Sequence, residues 1–117
     1  MTLQRRRLGI RGENIAASYL QKKGLRIVER NYRCRLGEID IIARDGGCLI
    51  FVEVRTKSTR TFGLPQESIT AAKVRKLRRL AQYYLVQRSM GELNVRFDVV
   101  AVNCVEDMQI THIENAF

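Results

Sequence analysis

Residues 37–57, GEIDIIARDGGCLIFVEVRTK, decide how the rest of the chain is read. Two short apolar runs, residues 39–43 and 48–54, flank the turn signal Asp45-Gly46-Gly47, so the stretch reads as a β-hairpin. Two acids fall inside those runs. Asp40 stands among Ile39, Ile41 and Ile42, and Glu53 between Val52 and Val54, where an ionised carboxylate is costly unless it is paired or metal-bound. Strand side chains alternate between faces. Glu38, Asp40 and Ile42 therefore share one face of the first strand, and Leu49, Phe51, Glu53 and Arg55 one face of the second. If those faces meet on one side, Asp40 and Glu53 converge with Arg55 beside them. Two carboxylates and a cation make a divalent-metal site with a positive neighbour, suited to hydrolysing a phosphodiester. A slip of one residue in register would send one carboxylate to the opposite face.

Upstream of the hairpin, residues 25–31 read as a first strand and residues 9–23 as a helix. In the helix, Ile15 with Tyr19 and Ala16 with Leu20 define an apolar stripe, and Glu13 lies along its edge. Gly24 is placed to end this helix. Residues 1–8, with Arg5, Arg6 and Arg7 in a row, read as a flexible basic arm. Downstream, residues 56–68 read as a polar loop holding Gly63 and the only proline, Pro65. A second helix follows over residues 69–88, capped by Ser68 or Thr70 and closed by Gly91. Its apolar period is Val74, Leu77, Ala81, Tyr84 and Leu85, and Lys73, Arg75, Lys76, Arg78 and Arg79 give it a strongly basic face. Residues 95–102, VRFDVVAV, are apolar enough for a central buried strand, and residues 108–113 for a short edge strand. The order is α-β-β-β-α-β with a further edge strand. It specifies one α/β domain, residues 1–117, with a mixed sheet flanked by helices.

The formal net charge is +9 and unevenly placed: +8 over residues 1–35, −1 over 36–70, +6 over 71–90 and −4 over 91–117. An acidic centre between basic segments suits an enzyme of nucleic acids, since the flanks attract phosphates while the centre holds metal. Three separated cysteines and one histidine support neither a disulfide framework nor a zinc site. No apolar stretch approaches the roughly 18 residues of a membrane helix, which points to the cytoplasm and no membrane partner.

The order of elements, with Asp on the second strand and Glu-x-(Lys/Arg) on the third, resembles the PD-(D/E)XK nuclease superfamily and its restriction-endonuclease-like fold. GENIAASYL, GLRIVERNYR, GEIDIIARDG, FVEVRTKS and GLPQESI, followed by a basic helix, resemble more closely the YraN-type family of small bacterial proteins, itself similar to archaeal Holliday-junction resolvases. The resemblance spans roughly residues 9–102. It implies a DNA endonuclease acting on branched or structured DNA as a homodimer. Asp40 and Glu53 then hold Mg²⁺ or Mn²⁺, with the Val54 carbonyl a third ligand and Glu13 completing the set; Glu38 is a further candidate. The implied catalytic group is Asp40, Glu53, Arg55 and Lys57. Arg5, Arg6, Arg7, Arg11, Lys73, Arg75, Lys76, Arg78 and Arg79 are the expected nucleic-acid contacts.

The chain departs from the superfamily at position 55, where Arg stands for the usual Lys. Arginine stays protonated, so it can hold a phosphate oxygen but accept no proton. Lys57, two residues on and on the same face if the strand continues, is the candidate to supply the missing amine. Blander readings stand beside these. Asp40 and Glu53 can be strand-end acids bridged to Arg33 or Arg55, and Glu13 a solvated helix residue. Asp98 reads as a hydrogen-bonded strand acid, Tyr84 as core, and Tyr83 as able to stack on bases. Two other functions compete: a DNA-binding or scaffold protein with weakened cleavage, and an RNA- or ribosome-associated basic protein.

Overall fold

The chain is seen in a computed structural model that describes residues 3–57, 69–91, 93–104 and 108–117, residues 4 and 5 as backbone only. The elements are α1 (Leu3–Lys22), β1 (Arg26–Cys34), β2 (Gly37–Asp45), β3 (Cys48–Lys57), α2 (Ala71–Gln87), β4 (Asn94–Asn103) and β5 (Gln109–Ile113). The strands form one sheet in the order β1-β2-β3-β4-β5. β3 and β4 run parallel, joined across α2, and the other neighbours are antiparallel. This is the α-β-β-β-α-β restriction-endonuclease-like core that the sequence specifies, with β5 as the short edge strand.

Period-two alternation gives each face of the sheet its own helix. Ile41, Ala43, Ile50, Val52, Val100 and Val102 pack with Ala16, Ala17 and Leu20 of α1. Ile42, Leu49, Phe51 and Phe97 pack with Leu77, Leu80, Ala81 and Tyr84 of α2. β3 is buried on both faces along its first half, so its apolar run continues without interruption until Glu53. Tyr84 is core, edge-on to Tyr32 and Phe51.

Several boundaries differ from the sequence reading. Residues 3–8 belong to α1 rather than to a flexible arm; Leu, Gln and Arg are good helix formers, and nothing before Gly9 breaks the turn. Thr56 and Lys57 belong to β3 rather than to the loop, because β4 pairs with them through Val102 and Asn103. The rest of that loop, with Gly63, Pro65 and Ser68, lies outside the described residues. Thr70 caps α2, its hydroxyl accepting from the Lys73 amide at 3.1 Å. Gly24 ends α1 as expected, with φ +98°. The Leu25 amide there donates to the Leu20 carbonyl at 3.0 Å and the Gly24 amide to Gln21 at 3.0 Å. α2 closes before Gly91. Ser89 takes the left-handed conformation at φ 52°, and the Ser89 and Met90 amides cap Val86 and Leu85. A serine thus performs the turn expected of the glycine.

Candidate functional site

The β2–β3 register pairs Ile42 with Phe51 and Ile41 with Val52. The pairing ends there, and Asp40 and Glu53 come next along the two strands, on one face by the two-residue alternation. Here the strands part. The Val54 amide donates to Asp40 Oδ2 at 2.8 Å, so a side-chain carboxylate stands where a ladder carbonyl would. A strand residue presents its N–H and C=O to the same edge, so the Val54 carbonyl faces the same fork.

Burial pushes the Asp40 carboxyl from 3.8 up to about 7; the facing Glu53 charge adds to the rise, the Val54 amide opposes it, and Glu13 and Glu38 contribute weakly. Glu13 is itself raised, by burial first, with Arg30 and Asn31 opposing. Gly12 lets α1 approach closely enough to place Glu13 there, since a Cβ at this position would stand 2.8 Å from the Thr56 Cβ. Among the described residues no three His, Cys, Asp or Glu side chains form a group that could hold a metal. The Glu13 charge is felt at Asp40, where it adds to the rise of that carboxyl. Glu38 points away to Arg33, 3.1 Å distant and exposed.

Among the described residues Glu53 has two cationic neighbours. Lys73 Nζ from the first turn of α2 lies 3.0 Å from Oε1, and Arg55 Nε 3.7 Å from the same oxygen. The bridge to Arg55 agrees with the blander reading of Glu53. That to Lys73 is absent from the sequence reading, which places Lys73 on the basic face of its helix. A general rule points to it: the crossover helix after a parallel strand starts over that strand's carboxyl end, where Glu53 sits. Glu53, Arg55 and Lys57 share a face, as β3 does continue to Lys57.

The other cations separate. Arg75, Lys76 and Arg79 line an open pocket of about 310 Å³ with Leu36 and Ala72. Arg78 instead lies over the Phe97 ring at 5.3 Å. Arg7 and Arg11 border a shallow groove on α1 with Ile10 and Asn14, on the opposite side of the sheet from α2. Arg6 is exposed, and of Arg5 only the helical backbone is described. Tyr83 has the Arg35 guanidinium over its ring at 5.8 Å.

Asp98 is fully buried and satisfied. Arg96 donates to both its oxygens at 2.9 and 3.0 Å, His112 Nε2 lies 2.8 Å from Oδ2, and the Asn115 amide donates to Oδ1 at 3.0 Å. Burial alone would raise this carboxyl, but the hydrogen bonds from Arg96, Asn115 and His112 outweigh it and hold it below its ordinary value. The strand-acid reading of Asp98 stands. Lys23, just past the end of α1, closes the cluster, 2.9 Å from His112 Nδ1 and 3.1 Å from Glu114.

Comparison with known proteins gives a consistent answer. The model of the uncharacterised protein family UPF0102 matches residues 12–102. A UPF0102 protein of Moorella thermoacetica is 57% identical over 102 residues, covering 87% of this chain and 85% of its own. Those of Geobacter sulfurreducens and Desulforamulus reducens are 46% and 47% identical, covering 94% and 99% of this chain and 88% and 99% of theirs.

Proposed function

Since this chain belongs to the UPF0102 family, the YraN-type family that its motifs resemble, whose relatives' names state no activity, we propose from the site that it is a metal-dependent DNA endonuclease. The observation that carries the reading is that Asp40 and Glu53 stand on one face just past the last β2–β3 pair, close enough for the Glu53 charge to raise Asp40, which accepts from the Val54 amide.

The donor chemistry fits Mg²⁺ or Mn²⁺. Asp40, Glu53 and the Val54 carbonyl offer hard oxygen donors, and Mg²⁺ usually takes one or two carboxylates and completes its sphere with water and substrate phosphates. Charge supports the fit as well: the Asp40 carboxyl is raised by burial first and by the Glu53 charge second, both of which a bound cation would relieve. When bound, the metal would polarise the scissile phosphate and lower the pKa of an attacking water. Arg55, beside Glu53, would hold a non-bridging phosphate oxygen through its planar guanidinium. Arg75, Lys76 and Arg79 supply contacts along the backbone, which position a substrate without reading bases. The substrate is DNA, branched or structured, and the acting form a homodimer in the cytoplasm; these finer points rest on the likeness to resolvases. No helix is long and apolar enough to cross a membrane among the described residues.

One observation favours a second reading, a DNA-binding or scaffold protein without cleavage: Glu53 is already ion-paired, to Lys73 and Arg55. The test is cleavage of linear, single-stranded, flapped and four-way-junction DNA with Mg²⁺ or Mn²⁺, for wild type, Asp40→Ala and Glu53→Ala at matched salt. Metal-dependent product that disappears in both variants is the expected result. Binding without product, indifferent to both substitutions, leaves the scaffold reading, and preference for RNA indifferent to Asp40→Ala leaves the RNA-associated one.

A further inference from the structure

We propose that Lys73 is a catalytic residue: its ammonium, brought from the first turn of α2 onto Glu53, supplies at the scissile phosphate the lysine amine that position 55 lacks, beside the Arg55 guanidinium. The inference rests on the nuclease reading of the site.

Of the lysines near the fork, Lys73 is the one with its ammonium on a site carboxylate. Lys57 lies four residues beyond Glu53 on the same strand, roughly 13 Å along it. Lys73 Nζ is already 3.0 Å from Glu53 Oε1. The Thr70 cap fixes the Lys73 backbone through its amide, and capping residues set where a helix starts. The Lys73 side chain is 34% exposed while that of Glu53 is 12% exposed, so the ammonium sits at the mouth of the fork, between the carboxylate and solvent. A phosphate arriving from solvent meets it first.

Its neighbours extend the same track. Lys76 and Arg79 follow Lys73 at one-turn intervals, roughly 4.5 Å and 9 Å along the helix axis, and both line the open basic pocket. A strand whose scissile phosphate is at Lys73 therefore has cations beside its next phosphates. Lys73 also has a second relation to the site. In the protein alone its charge competes with a divalent ion for Glu53, and on substrate binding it transfers from carboxylate to phosphate, both charge-assisted partners. Arg55, farther from Glu53 at 3.7 Å, holds the other side of the phosphate.

The experiment compares wild type with Lys73→Ala, Lys73→Arg and the control Arg44→Ala, which removes a charge at the turn end of the hairpin. Three quantities are read: single-turnover cleavage, DNA affinity in Ca²⁺, and Mn²⁺ affinity of the protein alone by calorimetry. Lys73→Ala should slow cleavage about 100-fold with DNA affinity within about threefold, as expected for one phosphate contact among several. It should bind Mn²⁺ at least about tenfold tighter, because a competing cation is gone. Lys73→Arg should recover part of the rate, and Arg44→Ala should match wild type in all three. Unchanged cleavage or unchanged Mn²⁺ affinity in Lys73→Ala, with wild type active, overturns the role of Lys73 alone. An equal loss of rate and DNA affinity also overturns it, making Lys73 a binding contact only. No product from wild type on any DNA overturns the nuclease reading, and this role with it.

Discussion

Asp40→Asn should make the metal-free protein more stable, and increasingly so as the pH rises. The Asp40 carboxyl is raised from 3.8 to about 7 in the folded chain, by burial first and by Glu53 second. For a carboxyl raised on folding, the associated stability is fully present below the unfolded value and is lost as pH climbs to the folded one. At about 1.36 kcal/mol per unit, a rise of about three units costs roughly 4 kcal/mol once both states are ionised. At about pH 5 the unfolded carboxyl is ionised and the folded one is not, so roughly 1.7 kcal/mol has been lost; at about pH 8 nearly all of it has. The variant should therefore gain roughly 2.5 kcal/mol on wild type between those two pH values. Asparagine keeps an oxygen to accept from the Val54 amide, so the hydrogen bond at 2.8 Å survives the change. Denaturant unfolding with chelator present, at both pH values, measures the difference directly. A gap that stays the same within about 0.5 kcal/mol would mean that the carboxyl titrates as an ordinary exposed acid, and the case for a desolvated site would fall.

Three further outcomes are expected. Gly12→Ala places a methyl 2.8 Å from the Thr56 Cβ; it should destabilise by about 1–3 kcal/mol, reversing the usual helical gain, as read by thermal melting. Asp98→Ala strips Arg96, His112 and the Asn115 amide of their acceptor and should cost roughly 3 kcal/mol while DNA affinity holds. Because Asp98 is held below its ordinary value, the stability it provides is present above the unfolded carboxylate pKa and fades as pH falls through the folded one. The unfolding free energies of wild type and this variant should therefore converge in acid. Replacing Arg75, Lys76 and Arg79 by Ala should reduce the slope of log affinity against log salt by about 0.9 for each duplex phosphate that is no longer neutralised. An unchanged slope would place the DNA elsewhere.

The hairpin is legible because its apolar runs and Gly-Gly turn are local signals, and Asp40 and Glu53 stand out because each interrupts such a run. Gly24 behaves as read, since a helix end needs only one residue at positive φ. Sequence and structure diverge where a partner distant in the chain decides. Thr56 and Lys57 look like loop because the strand that pairs with them, through Val102 and Asn103, lies some 46 residues on. Ser89 stands in for Gly91 because cap hydrogen bonds outweigh the modest cost of a serine at positive φ.

The set of elements and the alternation within them follow from the chain alone, because they arise from local sterics and from the two-residue and 3.6-residue periods. That alternation commits Leu49, Phe51, Glu53 and Arg55 to one face before any fold exists. Which helix covers that face is a matter of packing. α2, crossing from β3 to β4, begins over the carboxyl end of β3 and brings Lys73 to Glu53, while the neighbouring Arg78 turns to Phe97 and Arg75 to an open pocket. Along the chain those cations form one run of like charge. Coulombic attraction weakens with distance and is screened by solvent, so their separate tasks exist only once the sheet and helix are packed.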